Sequence, residues 1–390
     1  MAKNKRENGS GSFRKKGDSL EFRVWHEGQP KSFSGKTETE CRRKYREWIK
    51  KKAQEEHMPQ PALSKYNMLL IDYLNEWLKV NKYGKVKDST YDRAESTIKN
   101  QIAPYDIAQY KLSALTQENV QEFINQQSLF CSRSTVQKIY DILNPALSKA
   151  YRNKWINGDI MYDVFVPKEE FFINHPTKQI EIYSEEEMAA LSGAAYALYD
   201  ENNRRYRYAP AFILVLNTGI RFGELLALKW DHVDFDNKRI YIEYSQAYVK
   251  NRNRYEVENK RVSVTTSTKT KNGRRFIPLN NAAVTALEEL KNRQVSQSIK
   301  TEYVISNLQG GQLQGRSVQD VFTDICLENG IVPKGIHALR HTFATKLIQK
   351  HVDIGLISKL LGHSSVRITY DTYIHFIEEQ KISAIQAVDF

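Results

Sequence analysis

Apolar positions recur every three to four residues through most of this chain. They recur every second residue in two shorter regions, near the N-terminus and between residues 235 and 279. Leu69, Tyr73, Leu74, Trp77 and Leu78 form one helical stripe. Asp88 or Ser89 caps a second helix, which reaches about Gln101. Thr116 caps a third, carrying Val120 and Phe123. A fourth begins at Ser132 or Ser134 and runs to about Asn153, with Val136, Ile139, Leu143 and Leu147 on one side. Pro145 falls inside it and predicts a kink or a break.

Further along, Ser184 followed by Glu187 has the form of a capping box at a helix start. Tyr208 to Leu216 predicts an apolar helix that turns at Thr218-Gly219. The period then becomes two. Arg239–Tyr244, Val262–Thr268 and Arg275–Leu279 read as strands. Asn272-Gly273 is a strong hairpin signal and places Lys269 and Lys271 close to a turn. Ser12–Lys16, Leu20–His26 and Lys31–Phe33 predict a small sheet, followed by a helix over Thr39–Gln54. His57–Ser64, with two prolines and no apolar period, reads as a linker.

These elements predict a multidomain α+β protein. A β-sheet-plus-helix module occupies residues 1–60, a helical domain residues 64–175, and a mainly α domain with a small antiparallel β-sheet residues 176–390. Charge sharpens this picture. The chain carries a net +12, and residues 1–60 hold sixteen Lys/Arg against nine Asp/Glu. Such a balance favours a polyanionic partner. A basic tail would not need Phe13, Phe22, Val24, Trp25 and Phe33, so the first module reads as a folded unit that lays a strand face into a DNA groove. Its candidate contacts are Arg14, Lys15, Lys16 and Arg23. The helical domain offers Lys87, Arg93, Lys99, Arg133 and Lys138 as candidate phosphate contacts. No segment has the apolar length of a membrane span, and the N-terminus lacks the apolar stretch of a signal peptide, so a cytoplasmic protein without a membrane partner is expected. Cys41, Cys131 and Cys326 are far apart and read as free thiols, with no metal site and no cofactor motif.

The densest chemistry lies in Gly335–His375. It holds His337, Arg340, His341, His363, Tyr370 and Tyr373. His337 and Arg340 share a helix face, three residues apart. Arginine, histidine and tyrosine without a carboxylate pair suit an anionic substrate, here a phosphodiester. Arg221 follows the Gly219 turn at once and reads either as a held cation or as a surface arginine paired with Glu224 or Asp231.

Residues Thr218-Gly-Ile-Arg-Phe-Gly-Glu-Leu225, His337-Ala-Leu-Arg-His341, Leu361-Gly-His363 and Asp371-Thr-Tyr-Ile-His375 resemble the four active-site boxes of the tyrosine recombinases, in order and spacing. The chain resembles above all the integrases of conjugative transposons from Gram-positive bacteria. Residues 1–60 resemble their arm-site-binding domain and residues 64–175 their core-binding domain. The resemblance implies site-specific integration and excision of a mobile element through a 3′-phosphotyrosine. It makes Tyr373 the nucleophile, Arg221 and Arg340 the phosphate-binding pair, His337 and His363 flanking hydrogen-bonding groups, Lys269 the hairpin lysine and Glu224 a supporting residue. Tyr370 and Lys271 are the lesser rivals. It further implies double-stranded DNA partners, a homo-tetramer on synapsed sites, an accessory excision factor, and neither cofactor nor metal. A type IB topoisomerase-like enzyme and a non-catalytic DNA-binding regulator are the alternatives. Ile382, Ile385 and Val388 form a stripe after His375 that docks in cis or on a neighbouring protomer.

Overall fold

A computed structural model describes residues 11–26, 29–56, 65–175, 180–197, 206–252, 261–267 and 273–386, with the backbone alone at 26, 50–56 and 379–386. The chain divides into two compact units. One comprises Met1–Tyr83 and Ala94–Pro176, the other Gly84–Arg93 and Thr177–Phe390.

In the first unit, β1 (Ser12–Lys16), β2 (Ser19–His26) and β3 (Gln29–Gly35) form an antiparallel sheet in that order. Phe13 pairs with Phe22, and Phe22 with Phe33. Strand alternation therefore puts these rings on one face, with Val24 beside them. Helix α1 (Glu38–Glu56) covers that face through Cys41 and Tyr45. The register puts Arg14, Lys16, Arg23 and the exposed Trp25 on the open face. Lys15 pairs with Leu20 and lies on the covered face, apart from the other three basic residues of the expected set.

The helical part of this unit follows the predicted stripes. Helix α2 (Leu70–Lys82) buries Tyr73, Leu74, Trp77 and Leu78. Helix α3 (Asp88–Thr97), which belongs to this unit from Ala94 onward, passes into a wider π turn over Ile98–Ile102, with both isoleucines buried. Helix α4 (Gln117–Phe130) starts at a Thr116–Asn119 capping box. Helix α5 (Arg133–Arg152) runs without interruption through Pro145, so no break occurs there. Its apolar side, from Val136 to Ala150, is buried along the whole length, and the Tyr73 hydroxyl donates to the Ala146 carbonyl at 2.7 Å. That packing outweighs the one helix bond a proline removes.

The second unit is built around α7 (Pro210–Thr218). Every residue from Ala211 to Val215 is at most 2% exposed, so this short helix is apolar all round. Helices α6 (Glu185–Tyr196), capped by Ser184 and Glu187, α8 (Phe222–Ala227), α9 (Asn281–Ser296), α10 (Gly315–Glu328) and α11 (Ile336–Gln349) surround it and share its core. Helices α12 (Ile354–Leu361) and α13 (Val366–Gln386) pack on the far half of α11 around a second cluster, which includes Ala344, Ile348, Leu361 and Tyr373. No helix among the described residues is long and apolar enough to cross a membrane.

The strands pair differently from expectation. Strand β4 (Val233–Asp234), β5 (Arg239–Ile242) and β8 (Arg275–Pro278) form one sheet; β6 (Tyr244–Lys250) and β7 (Arg261–Ser267) form a separate ribbon. The strands flanking Asn272-Gly273 thus pair with β6 and β5, not with each other. Two-residue turn chemistry reports local preference only, and the apolar Ile240–Ile277 pair ties β8 to β5 in the core. Lys269, Lys271 and Asn272 lie outside the described residues, as do Val388 and the side chains of Ile382 and Ile385.

Gly219 ends α7 with φ of 64°. A Cβ there would sit 2.4 Å from the Phe343 ring and 3.0 Å from Leu361. Gly219→Ala combines left-handed strain with overpacking, so it should cost about 2–4 kcal/mol. Its apparent Tm, measured by thermal unfolding beside wild type, should fall by several degrees; an unchanged Tm would contradict this packing.

Candidate active site

The site forms where α12 ends. Asp353 caps its start by accepting the Leu356 amide at 2.9 Å. At its other end Gly362 adopts φ of 66°, and the amides of Gly362 and His363 fold back on the carbonyls of Lys359 and Ser358, each at 3.1 Å. The next three carbonyls have no helical partner and would otherwise be orphaned. Each accepts from a different guanidinium. Arg275 Nε donates to Leu360 at 2.7 Å, Arg340 Nη2 to Leu361 at 2.8 Å and Arg221 Nη2 to Gly362 at 2.9 Å. The negative end of a helix dipole favours cations at this position.

Each arginine arrives from its own element. Arg340 is on α11, 2% exposed, and its Nη1 donates to the Gly219 carbonyl at 2.7 Å. Burial, then repulsion from Arg221, lowers its pKa to about 9, so it remains a cation at neutral pH. Arg221 is the N-cap of α8, and its side chain keeps 36% of its surface open. Arg275 opens β8 and is buried. Between Arg221 and Arg275 lies Glu224, 2% exposed. Its Oε2 accepts from the Arg221 amide and from Arg275 Nη2, both at 2.9 Å. Its Oε1 accepts from Arg221 Nη1 at 2.9 Å and Arg275 Nη1 at 3.2 Å. Burial pushes the carboxyl up, but Arg275 first and Arg221 second hold it below the ordinary value.

The histidines are neutral at pH 7. Burial, with Arg340 and Arg221 adding repulsion, brings His363 down to about 4. Burial, then His337 and Arg340, brings His341 down to about 4. Arg340 has only donors, so its 2.9 Å contact with His363 Nε2 makes that nitrogen the acceptor. The ring proton is therefore assigned to Nδ1, which faces Thr369 Oγ1 at 2.7 Å. His337 lies one turn before His341 and packs edge-on against it at 4.7 Å between ring centres. Its pKa is also lowered, by burial first and then by Arg340 and Arg221.

Tyr373 is stored in the interior. It is 1% exposed, and its hydroxyl is 2.9 Å from His341 Nδ1. Burial raises its pKa to about 12. Its backbone, at φ −115° and ψ 18°, interrupts α13. Tyr370, by contrast, is 38% exposed. Sequence reasoning gave no role to His341 or Arg275. The first could have been noticed as the histidine next to Arg340; the second had no signal beyond its position at a strand start.

Residues 183–380 match the Phage integrase family, and residues 70–127 match the Phage integrase N-terminal SAM-like domain. This chain belongs to the phage integrase family. It is a tyrosine recombinase, an enzyme of site-specific recombination that cleaves and rejoins DNA. A tyrosine recombinase XerC-like protein of Caldanaerobacter subterraneus subsp. tengcongensis is 26% identical over 346 residues, 83% of each chain. The Tn1549 transposon integrase, solved with circular intermediate DNA, has a similar fold with a TM-score of 0.64 at 18% identity, covering 83% of this chain and all of that one. Lambda integrase, solved as a tetramer on a Holliday junction, gives a TM-score of 0.54 at 16% identity, covering 93% of this chain and 97% of that one.

In this recombinase, a cleft of about 580 Å³ opens beside the arginines, lined by Arg221, Glu224, His363, Lys87 and Thr266. Lys87 Nζ donates to the Ser267 carbonyl at 3.0 Å. Lys99 and Lys138 are exposed, as is Arg93, while Arg133 Nε donates to the Pro167 carbonyl at 3.2 Å.

The depressed histidines predict an acid-sensitive fold. Unfolded histidine binds a proton below about pH 6.5, whereas His341 and His363 resist protonation until about 4. The unfolded state therefore gains protons first, and stability falls as pH drops from about 6.5 toward 4. Glu224 has a lowered pKa, so its contribution is lost only at lower pH. The apparent Tm should fall between pH 7 and pH 5, and less so in a His341→Gln/His363→Gln variant. Equal pH slopes for the two proteins would contradict the assignment.

Proposed function

We propose that this chain integrates and excises a mobile DNA element, with Tyr373 as nucleophile and Arg221 and Arg340 as the clamp on the scissile phosphate. The observation that carries this reading is the convergence of both guanidiniums on adjacent carbonyls, Gly362 and Leu361, beside a cleft that also exposes His363. A phosphoryl transition state gathers negative charge on its non-bridging oxygens, and two planar forks fit them better than ammonium groups do. Tyr373 Oη forms a bond to phosphorus as the bond to the 5′-oxygen breaks. The phenol proton leaves to a neighbouring base, and the 5′-oxygen takes one from an acid. The reverse exchange reseals a strand, so the bond energy is retained in the phosphotyrosine.

His337 is assigned to hydrogen-bond the phosphate and Lys269 to protonate the leaving oxygen. His363 joins the phosphate once Arg340 releases its Nε2. At a pKa near 12 the phenolate fraction at pH 7 is only about 10⁻⁵. Proton removal must therefore accompany attack. His341 is neutral and in contact with the hydroxyl, so it holds the stored tyrosine as a phenol. Attack also requires Tyr373 to leave its buried pocket, and the interruption of α13 at this residue provides the pivot.

We assign residues 1–60 to arm-site DNA, 64–175 to core-site DNA and 176–390 to catalysis. The open sheet face with Arg14, Lys16, Arg23 and Trp25 supports the first assignment. The working assembly is a homo-tetramer on synapsed duplexes in the bacterial cytoplasm, with an accessory factor for excision. The tetrameric lambda integrase and the DNA-bound Tn1549 integrase support this by analogy of fold.

A nicked duplex taken from the footprinted element end should trap a denaturant-resistant adduct. Tyr373→Phe should abolish it and Tyr370→Phe should keep it; the opposite pattern would overturn the nucleophile. Arg221→Lys and Arg340→Lys should each slow adduct formation about 10²–10³-fold. Binding to the same duplex should weaken steeply with salt, as expected where many Lys/Arg displace counterions. A flat salt response would contradict phosphate contacts as the main source of affinity. Deleting residues 1–60 should weaken arm-site binding while core cleavage persists. Loss of core cleavage would contradict the modular assignment.

A further inference from the structure

Resting on that reading, we propose that Arg275 is a positioning residue of the recombination site, which frees Arg221 for phosphate by neutralising Glu224. Its guanidinium spans three structural elements. It meets both Glu224 oxygens on α8, the Leu360 carbonyl at the end of α12 and, through Nη1, the Gly273 carbonyl at 3.1 Å.

Charge shows why this arrangement matters. Glu224 is buried beside Arg221, the more open of the two phosphate-binding candidates. A lone buried carboxylate would compete with the DNA phosphate for that guanidinium. With Arg275 on the other side, the Glu224 carboxylate accepts four hydrogen bonds, two from each arginine. The trio then carries one net positive charge, which sits at the cleft with Arg221. Glu224 is left with the task of orienting Arg221, and it does so without cancelling it.

Stability alone does not account for the pair. A buried ion pair often contributes no more than well-packed apolar residues of similar size. Arg275 instead stands where it ties the carboxylate that orients Arg221 to the α12 carbonyl row on which the phosphate clamp is held. A lysine could supply the charge but not the fork to both carboxylate oxygens together with the Leu360 and Gly273 contacts.

The test uses the full-length protein and a nicked duplex of the footprinted site, with single-turnover adduct formation, gel-shift affinity and apparent Tm measured together. Arg275→Gln should slow adduct formation about 10²-fold while affinity stays within about threefold. Adding Glu224→Gln to Arg275→Gln should restore at least about tenfold, because the uncompensated carboxylate is gone. A purely structural role would give losses that multiply, with no rescue. A rate for Arg275→Gln within about threefold of wild type, or a double variant no better than Arg275→Gln, would overturn the proposal. If Arg275→Gln fails to fold, Arg275→Lys decides: the proposal expects a folded protein about tenfold slower, and a wild-type rate overturns it. No adduct from wild type would remove the recombinase reading and this proposal with it. An adduct from wild type with undiminished Arg275 variants would remove this proposal alone.

Discussion

Three backbone carbonyls at the end of one short helix hold the chemistry of this enzyme in place. Leu360, Leu361 and Gly362 accept from Arg275, Arg340 and Arg221 in turn. Neighbouring guanidiniums repel each other, and repulsion from Arg221 already lowers the pKa of buried Arg340. The negative end of the α12 dipole and the buried Glu224 carboxylate offset that repulsion. The remaining positive potential has one open side, toward the cleft where Arg221 retains exposure. On the proposed reading, a duplex phosphate entering there meets donors whose directions the protein has already fixed, which is the condition for strong transition-state stabilisation.

The proposed nucleophile is treated in the opposite way. Tyr373 is packed among Ala344, Ile357 and Leu361 with its hydroxyl on His341, and its pKa is raised rather than lowered. A phenol stored in this state does not attack. The arginines are held on the α12 carbonyls and the tyrosine is withheld, with α13 interrupted at Tyr373.

Much of the fold was legible in the sequence because it follows local rules. The stripes of α2, α4 and α5, the caps at Thr116 and Ser184, and the alternation of β1 to β3 all depend on residues within a few positions of each other. The family was legible too, through the resemblance of its motifs. What escaped was set by long-range contact. Arg275 meets Leu360 and Glu224, 85 and 51 positions away, and no periodicity marks such pairs. His341 gains its meaning only when α13 brings Tyr373 to it, 32 positions on. The break offered at Pro145 does not occur, for a related reason: buried packing on both sides of it holds α5 continuous against a local rule. The pairing of β7 and β8 was misjudged because Asn272-Gly273 reports a turn preference and not a partner.

The most direct measurement is a crystal structure of the full chain on its nicked duplex with orthovanadate in place of the scissile phosphate. The account predicts vanadate oxygens within about 3 Å of Arg221 and Arg340. It also predicts that the Leu360, Leu361 and Gly362 carbonyls still accept from the three arginines, with Tyr373 released from His341 and apical to vanadium. Vanadate bound elsewhere, or arginines that abandon those carbonyls to reach it, would contradict the claim that the end of α12 organises the site.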